Sequence, residues 1–120
     1  MVTPLVGIVG PCSAGKSTLR DALRVKGYQS KEILQEHSLA PTMWKRITNP
    51  DILIYLDVTV EEAARREGLE KPPAWWEEER RVRLAHARQY CDLYVDTSAL
   101  SPQKVLAHVT AFLETNANKA

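Results

Sequence analysis

A chain of 120 residues, 44% hydrophobic and 26% charged, has apolar matter for one core and no more, and it predicts a single unit over 1–120. Its formal charge of +1 provides no basic surface for nucleic acid or an anionic membrane, and no run of roughly 18 apolar residues offers a bilayer span. The start lacks a secretory leader's pattern, and the two cysteines, Cys12 and Cys91, have no metal-ligand spacing, so the expectation is a cytoplasmic protein with reduced thiols, no disulfide and no zinc.

In chain order, "PLVGIVG" (Pro4 to Gly10) is a short apolar run without alternation, which predicts a strand buried on both faces of a parallel sheet. A helix follows over Gly15 to Lys26, with Leu19, Ala22 and Leu23 on one face and Gly27 as its left-handed terminator. "YQSKEIL" (Tyr28 to Leu34) is a less apolar second strand leading into "QEHS". Pro41 begins a short helix through Met43, Trp44 and Ile47 that Asn49 and Pro50 end.

"DILIYLDV" (Asp51 to Val58) is the clearest buried strand. Thr59 and Glu62 form a capping box for a helix Val60 to Glu67, closed by Gly68. Pro72 and Pro73 open a long charged helix from Ala74 to Tyr90, whose "EEERRVR" reads as a solvated face with Glu77–Arg81 and Glu79–Arg83 pairs. "LYVDTS" (Leu93 to Ser98) is the last strand. Ser101 caps a final helix with Pro102 at its first position and a buried stripe of Val105, Leu106, Val109, Phe112 and Leu113. Strands alternating with helices predict an α/β fold with an open parallel sheet.

The chemistry concentrates in "IVGPCSAGKSTL", which has two readings. As a cysteine phosphatase loop starting at Cys12 it needs an arginine six residues on, and that position is Thr18. As G-x-x-x-x-G-K-[ST], the Walker A pattern for nucleoside triphosphates, it is complete and lies between strand and helix. In that reading Gly10, Pro11, Cys12, Ser13, Ala14, Gly15, Lys16, Ser17 and Thr18 form the phosphate cradle: Gly10 and Gly15 let the backbone turn inward, and the amides from Ser13 to Thr18 point at the phosphates. Lys16 reaches the β and γ oxygens, Ser17 binds Mg²⁺, and Cys12 does no chemistry. Lys16, as a loop residue, is expected to be removable without loss of the fold.

"GIVGPCSAGKSTL", "ILIYLDVTVEEAARR" and "DLYVDTSALSPQKV" together resemble the P-loop nucleoside and nucleotide kinase group that includes adenylate, thymidylate and shikimate kinases. The resemblance spans most of the chain and implies a three-layer α/β/α sandwich with about four parallel strands in the order 2-1-3-4. It also implies ATP and Mg²⁺ as cofactors and a reduced lid around 65–90 that begins at Arg65 and Arg66. Arg80, Arg81 and Arg83 become candidates to touch phosphate, and Thr97 to Pro102 becomes the adenine-contacting loop. Only 27–34 separate the first helix from "QEHS", so the region that binds the acceptor in such kinases is missing or reduced.

Two acids compete for the metal or the attacking hydroxyl. Asp57 ends the Walker-B-like run "ILIYLD", whereas Glu36 in "ILQEHS" stands at the end of the strand on the other side of the P-loop strand. His37 beside Glu36 is a candidate base or acceptor-phosphate ligand, with a solvated loop residue as the plainer reading. Met43, Trp44 and Arg46 lie where a reduced acceptor lid belongs, although Met/Trp pairs also serve cores, and Trp75 and Trp76 carry the same two readings. The expectation is a Mg-ATP-dependent small-molecule or nucleotide kinase with catalytic Lys16, Glu36, Asp57, Arg65 and Arg66 and an unidentified acceptor. The rival is a non-kinase switch or slow NTPase acting through a protein partner. A homo-oligomer that completes the reduced site is compatible with either.

Overall fold

The computed structural model describes residues 3–117. Four parallel strands, β1 (Leu5–Val9), β2 (Gln29–Glu32), β3 (Ile52–Asp57) and β4 (Leu93–Asp96), form one sheet in the order β2-β1-β3-β4. Helices α1 (Lys16–Val25), α2 (Val60–Glu67), α3 (Trp75–Glu78), α4 (Ala85–Tyr90) and α5 (Pro102–Ala117) complete the layers.

The apolar runs are continuous because both sheet faces are covered. Val6, Ile8, Ile54, Leu56 and Val95 point into a core shared with Leu19 and Leu23 of α1, Ala63 and Ala64 of α2, and Val105, Val109 and Leu113 of α5. Val9, Leu53 and Tyr55 point the other way, onto Trp44, Leu84 and Ala87. Trp44 is therefore core. Trp76 is buried as well, while Trp75 stays 53% exposed.

Three expectations change. The Ala74–Tyr90 helix is broken: α3 runs into a π-helical turn, Glu79–Arg83, closed by the Leu84 amide on the Glu79 carbonyl at 3.0 Å, before α4 begins. The Pro41–Ile47 helix is a second π turn, Trp44–Thr48, closed by the Asn49 amide on the Trp44 carbonyl. The Thr59/Glu62 box is half made. Thr59 Oγ1 accepts from the Glu62 amide at 3.1 Å, but the Thr59 amide donates to Ser98 Oγ and the Glu62 carboxylate pairs with Arg65 and Arg66. Thr59→Ala is expected to cost about 1 kcal/mol, the worth of one side-chain cap, measured as a lower urea midpoint with an unchanged m-value.

Candidate functional site

The loop after β1 has a backbone that its residues explain. Gly10 sits at φ +152, where an added Cβ would lie 1.9 Å from the Leu56 carbonyl oxygen, and Gly15 at φ +96 turns the chain into α1. Ser13 takes φ 65 without being glycine, and its hydroxyl donates to Glu67 at the end of α2. No side chain caps α1. Its first-turn amides therefore remain available to an anion, where the helix dipole also favours negative charge.

Lys16 opens α1 and is only 4% exposed, so it is a buried residue and not the dispensable loop lysine expected from sequence. Its ammonium donates to the carbonyl oxygens of Gly10 at 2.6 Å and Pro11 at 3.1 Å, and to Glu36 Oε2 at 2.5 Å. Glu36 lies in a 3₁₀ turn, Gln35–His37, directly after β2, and is itself 2% exposed. Gln35 fixes that turn: its Nε2 donates to the Ala40 carbonyl and its Oε1 accepts from the Trp44 amide, which shapes the short segment 38–44.

The two competing acids have different surroundings. Asp57 Oδ1 accepts from the Val58 amide and from Arg80 Nη1 at 3.2 Å, while its Oδ2 accepts from Tyr94 Oη at 2.5 Å. Burial, and then its bond to Asp57, pushes the Tyr94 phenol up to about 12. Glu36 uses Oε2 on Lys16, and its buried Oε1 has no partner. Glu79, which sequence placed on a solvated face, is 2% exposed, with an unpartnered Oε2 and with Oε1 4.0 Å from Cys12 Sγ. Burial first, then the nearby Glu36 carboxylate, raises the Glu79 carboxyl. Burial and then Glu79 raise the Cys12 thiol. Neither the Glu77–Arg81 nor the Glu79–Arg83 pair is formed among the described residues.

The arginines divide likewise. Arg65 is exposed and spends its guanidinium on Glu62, away from the loop. Arg66 reaches the loop, donating to the Ser13 carbonyl at 2.8 Å and to Thr97 Oγ1 and the Thr97 carbonyl. Arg83 donates to the Glu36 carbonyl at 3.2 Å, Arg80 serves Asp57, and Arg81 is exposed. Sequence reasoning missed Glu79 and Glu67 as loop neighbours, and Thr97 as the hinge of this network. Thr97 Oγ1 lies 3.0 Å from both the Ala14 and Asp57 carbonyl oxygens, tying the loop to the ends of β3 and β4.

Beside the loop is a cavity of about 240 Å³ lined by Gly15, Thr18, Ala22, Leu100, Pro102 and Leu106, among others. It is mostly apolar and borders the open start of α1. A flat heterocycle there would keep its phosphates over the loop amides.

Four parallel strands in the order 2-1-3-4, with the glycine-bent loop between β1 and α1, make an α/β fold with an open parallel sheet. Among solved structures the chain is similar to thymidylate kinase from Candida albicans, with a TM-score of 0.68 and 14% identity over 98% of this chain and 94% of that one. At that identity the likeness establishes the fold. By sequence, neither a protein-family profile nor a curated protein matches the chain. No helix among the described residues is long and apolar enough to cross a membrane.

Proposed function

We propose that this chain binds Mg-ATP and transfers its γ-phosphoryl group to a small-molecule or nucleotide acceptor. The observation that carries the reading is the convergence, at the mouth of a glycine-bent loop, of Lys16 Nζ and the buried carboxylate of Glu36 at 2.5 Å. A phosphoryl transfer needs a cation for the developing oxygen charge and an acid to orient the attacking hydroxyl, and these two groups supply both.

The other roles follow the geometry. The nucleobase takes the cavity between α1 and α5, in keeping with a base-contacting loop over Thr97 to Pro102. Mg²⁺ suits the exposed hydroxyl of Ser17 in the first turn of α1, where it would neutralise phosphate charge. Glu36 is the acid of choice, because Oε1 is free whereas both oxygens of Asp57 are engaged. Arg66 is the lid arginine that reaches the loop, and Asp57 holds the Tyr94–Arg80 cluster. The acceptor would approach over Glu36 and the segment 38–44, beside Arg83.

The test is label transfer from γ-labelled ATP, in the presence of a pool of cell metabolites, by the native protein and by Glu36→Gln. Label on an organic acceptor, reduced at least about 100-fold in Glu36→Gln, is the expected result and identifies the acceptor. Label recovered only as inorganic phosphate, or left on ATP, overturns the kinase reading in favour of a nucleotide switch acting through a partner.

A further inference from the structure

Cys12, Glu36 and His37 bring a thiol sulfur, a carboxylate oxygen and an imidazole nitrogen within 4.8 Å of one another. They come from two different segments, the loop after β1 and the turn after β2. A spacing argument confined to the two cysteines therefore could not find them.

We propose that this cluster is a site for a divalent cation of borderline softness, zinc or cobalt, with Cys12, Glu36 and His37 as ligands and a water in the fourth position. Beyond the cluster itself, a buried oxygen points to a cation. Glu36 is 2% exposed and commits only Oε2 to Lys16, leaving Oε1 without a partner. Glu79 is equally buried, leans on the Cys12 sulfur with Oε1 at 4.0 Å, and leaves Oε2 without a partner. A buried carboxylate oxygen without a donor is costly, and a cation held by the cluster would satisfy the one on Glu36.

The ligand set selects the ion. Sulfur and imidazole disfavour Mg²⁺ and Ca²⁺, which take oxygen, and favour a tetrahedral ion that accepts N, S and O together. Ligand atoms around such an ion stand roughly 3.5 Å apart, given bonds of about 2.0 to 2.3 Å. Closing from 4.8 Å requires about 1 Å of movement, and the exposed His37 side chain on its short turn is placed to supply it. The half-buried Cys12 and exposed His37 also leave an entry route from solvent. The ion here is distinct from the magnesium expected at Ser17, but it would take the Glu36 Oε1 that the proposed function gives to the acceptor hydroxyl, so the two uses of that oxygen are alternatives.

The experiment is a cobalt titration of the metal-free protein under reducing conditions, read by the thiolate-to-cobalt charge-transfer absorption and by the d–d bands of tetrahedral Co²⁺. Native protein and Cys91→Ser are expected to show both signals, with stoichiometric displacement by zinc. Cys12→Ser, checked for native circular dichroism, is expected to lose the charge-transfer band, and His37→Ala to weaken cobalt binding roughly tenfold or more. Absence of the band in native protein, its survival in Cys12→Ser, or its loss in Cys91→Ser overturns the site. Titration of the same metal-free sample with Mg-ATP reads the phosphate loop separately, so failure of the cation site and failure of the nucleotide reading are distinguishable.

Discussion

Lys16→Met is expected to lower nucleotide turnover by about 100- to 1000-fold, the usual loss when a preorganised donor to the transferring oxygens is removed. It should also destabilise the protein. Lys16 and Glu36 are 4% and 2% exposed and lie 2.5 Å apart, so deleting the ammonium leaves a carboxylate buried without its counter-charge, at a cost of about 3 kcal/mol. Lys16→Met/Glu36→Gln separates the two effects, because an uncharged pair of similar volume restores most of the stability and none of the turnover. Urea unfolding of the single and double variants, with turnover assayed on both, is the measurement. Native turnover in folded Lys16→Met sinks the assignment of the lysine, and a double variant no more stable than the single one sinks the buried-charge argument.

Gly10→Ala is expected to be the most damaging single methyl in the chain. Its Cβ would lie 1.9 Å from the Leu56 carbonyl oxygen, a backbone atom in the middle of the sheet, at φ +152. Relief requires β1 and β3 to separate, and a loss above about 4 kcal/mol is a large share of a domain's total stability. Gly15→Ala makes a control, since nothing lies within 4 Å of its Cβ and only the left-handed φ of +96 opposes it, for about 1 kcal/mol. Denaturation followed by the fluorescence of the buried Trp44 and Trp76 should rank Gly10→Ala far below Gly15→Ala. Equal stabilities would show that the sheet yields at this point.

Much of the architecture was legible because its signals are local. Continuous apolar runs marked β1 and β3, Gly27 and Gly68 terminated α1 and α2, and Ser101 before Pro102 marked the start of α5, where Ser101 Oγ accepts from the Lys104 amide. The spacing of G-x-x-x-x-G-K-S located the loop. What stayed hidden depends on pairing across the fold. The periodicity of "EEERRVR" assumes α-helical i to i+4 bonding, but over Glu79–Arg83 the bond closes from i to i+5 and the winding is wider, and there Glu79 lies against Cys12 while its predicted partner Arg83 goes to the Glu36 carbonyl. Arg65 and Arg66, adjacent in sequence, likewise face different ways on α2, and only the second meets the loop. The preference proposed for Glu36 over Asp57 was equally beyond pattern, because it rests on which oxygens Tyr94 and Arg80 occupy.

The resting position of Lys16 sets an entry threshold for ligands. Its ammonium already has three oxygen partners, the Gly10 and Pro11 carbonyls and Glu36, so an incoming anion competes with bonds inside the protein and not with water. Part of any ligand's intrinsic affinity is spent in drawing the lysine out, and the measured affinity is lower by the fraction of molecules in which it is already free. In the proposed nucleotide reading, a lone phosphate gains few loop amides in that exchange, whereas a triphosphate spread along the loop gains several at once. Discrimination by phosphate number can thus arise here before any contact with the base.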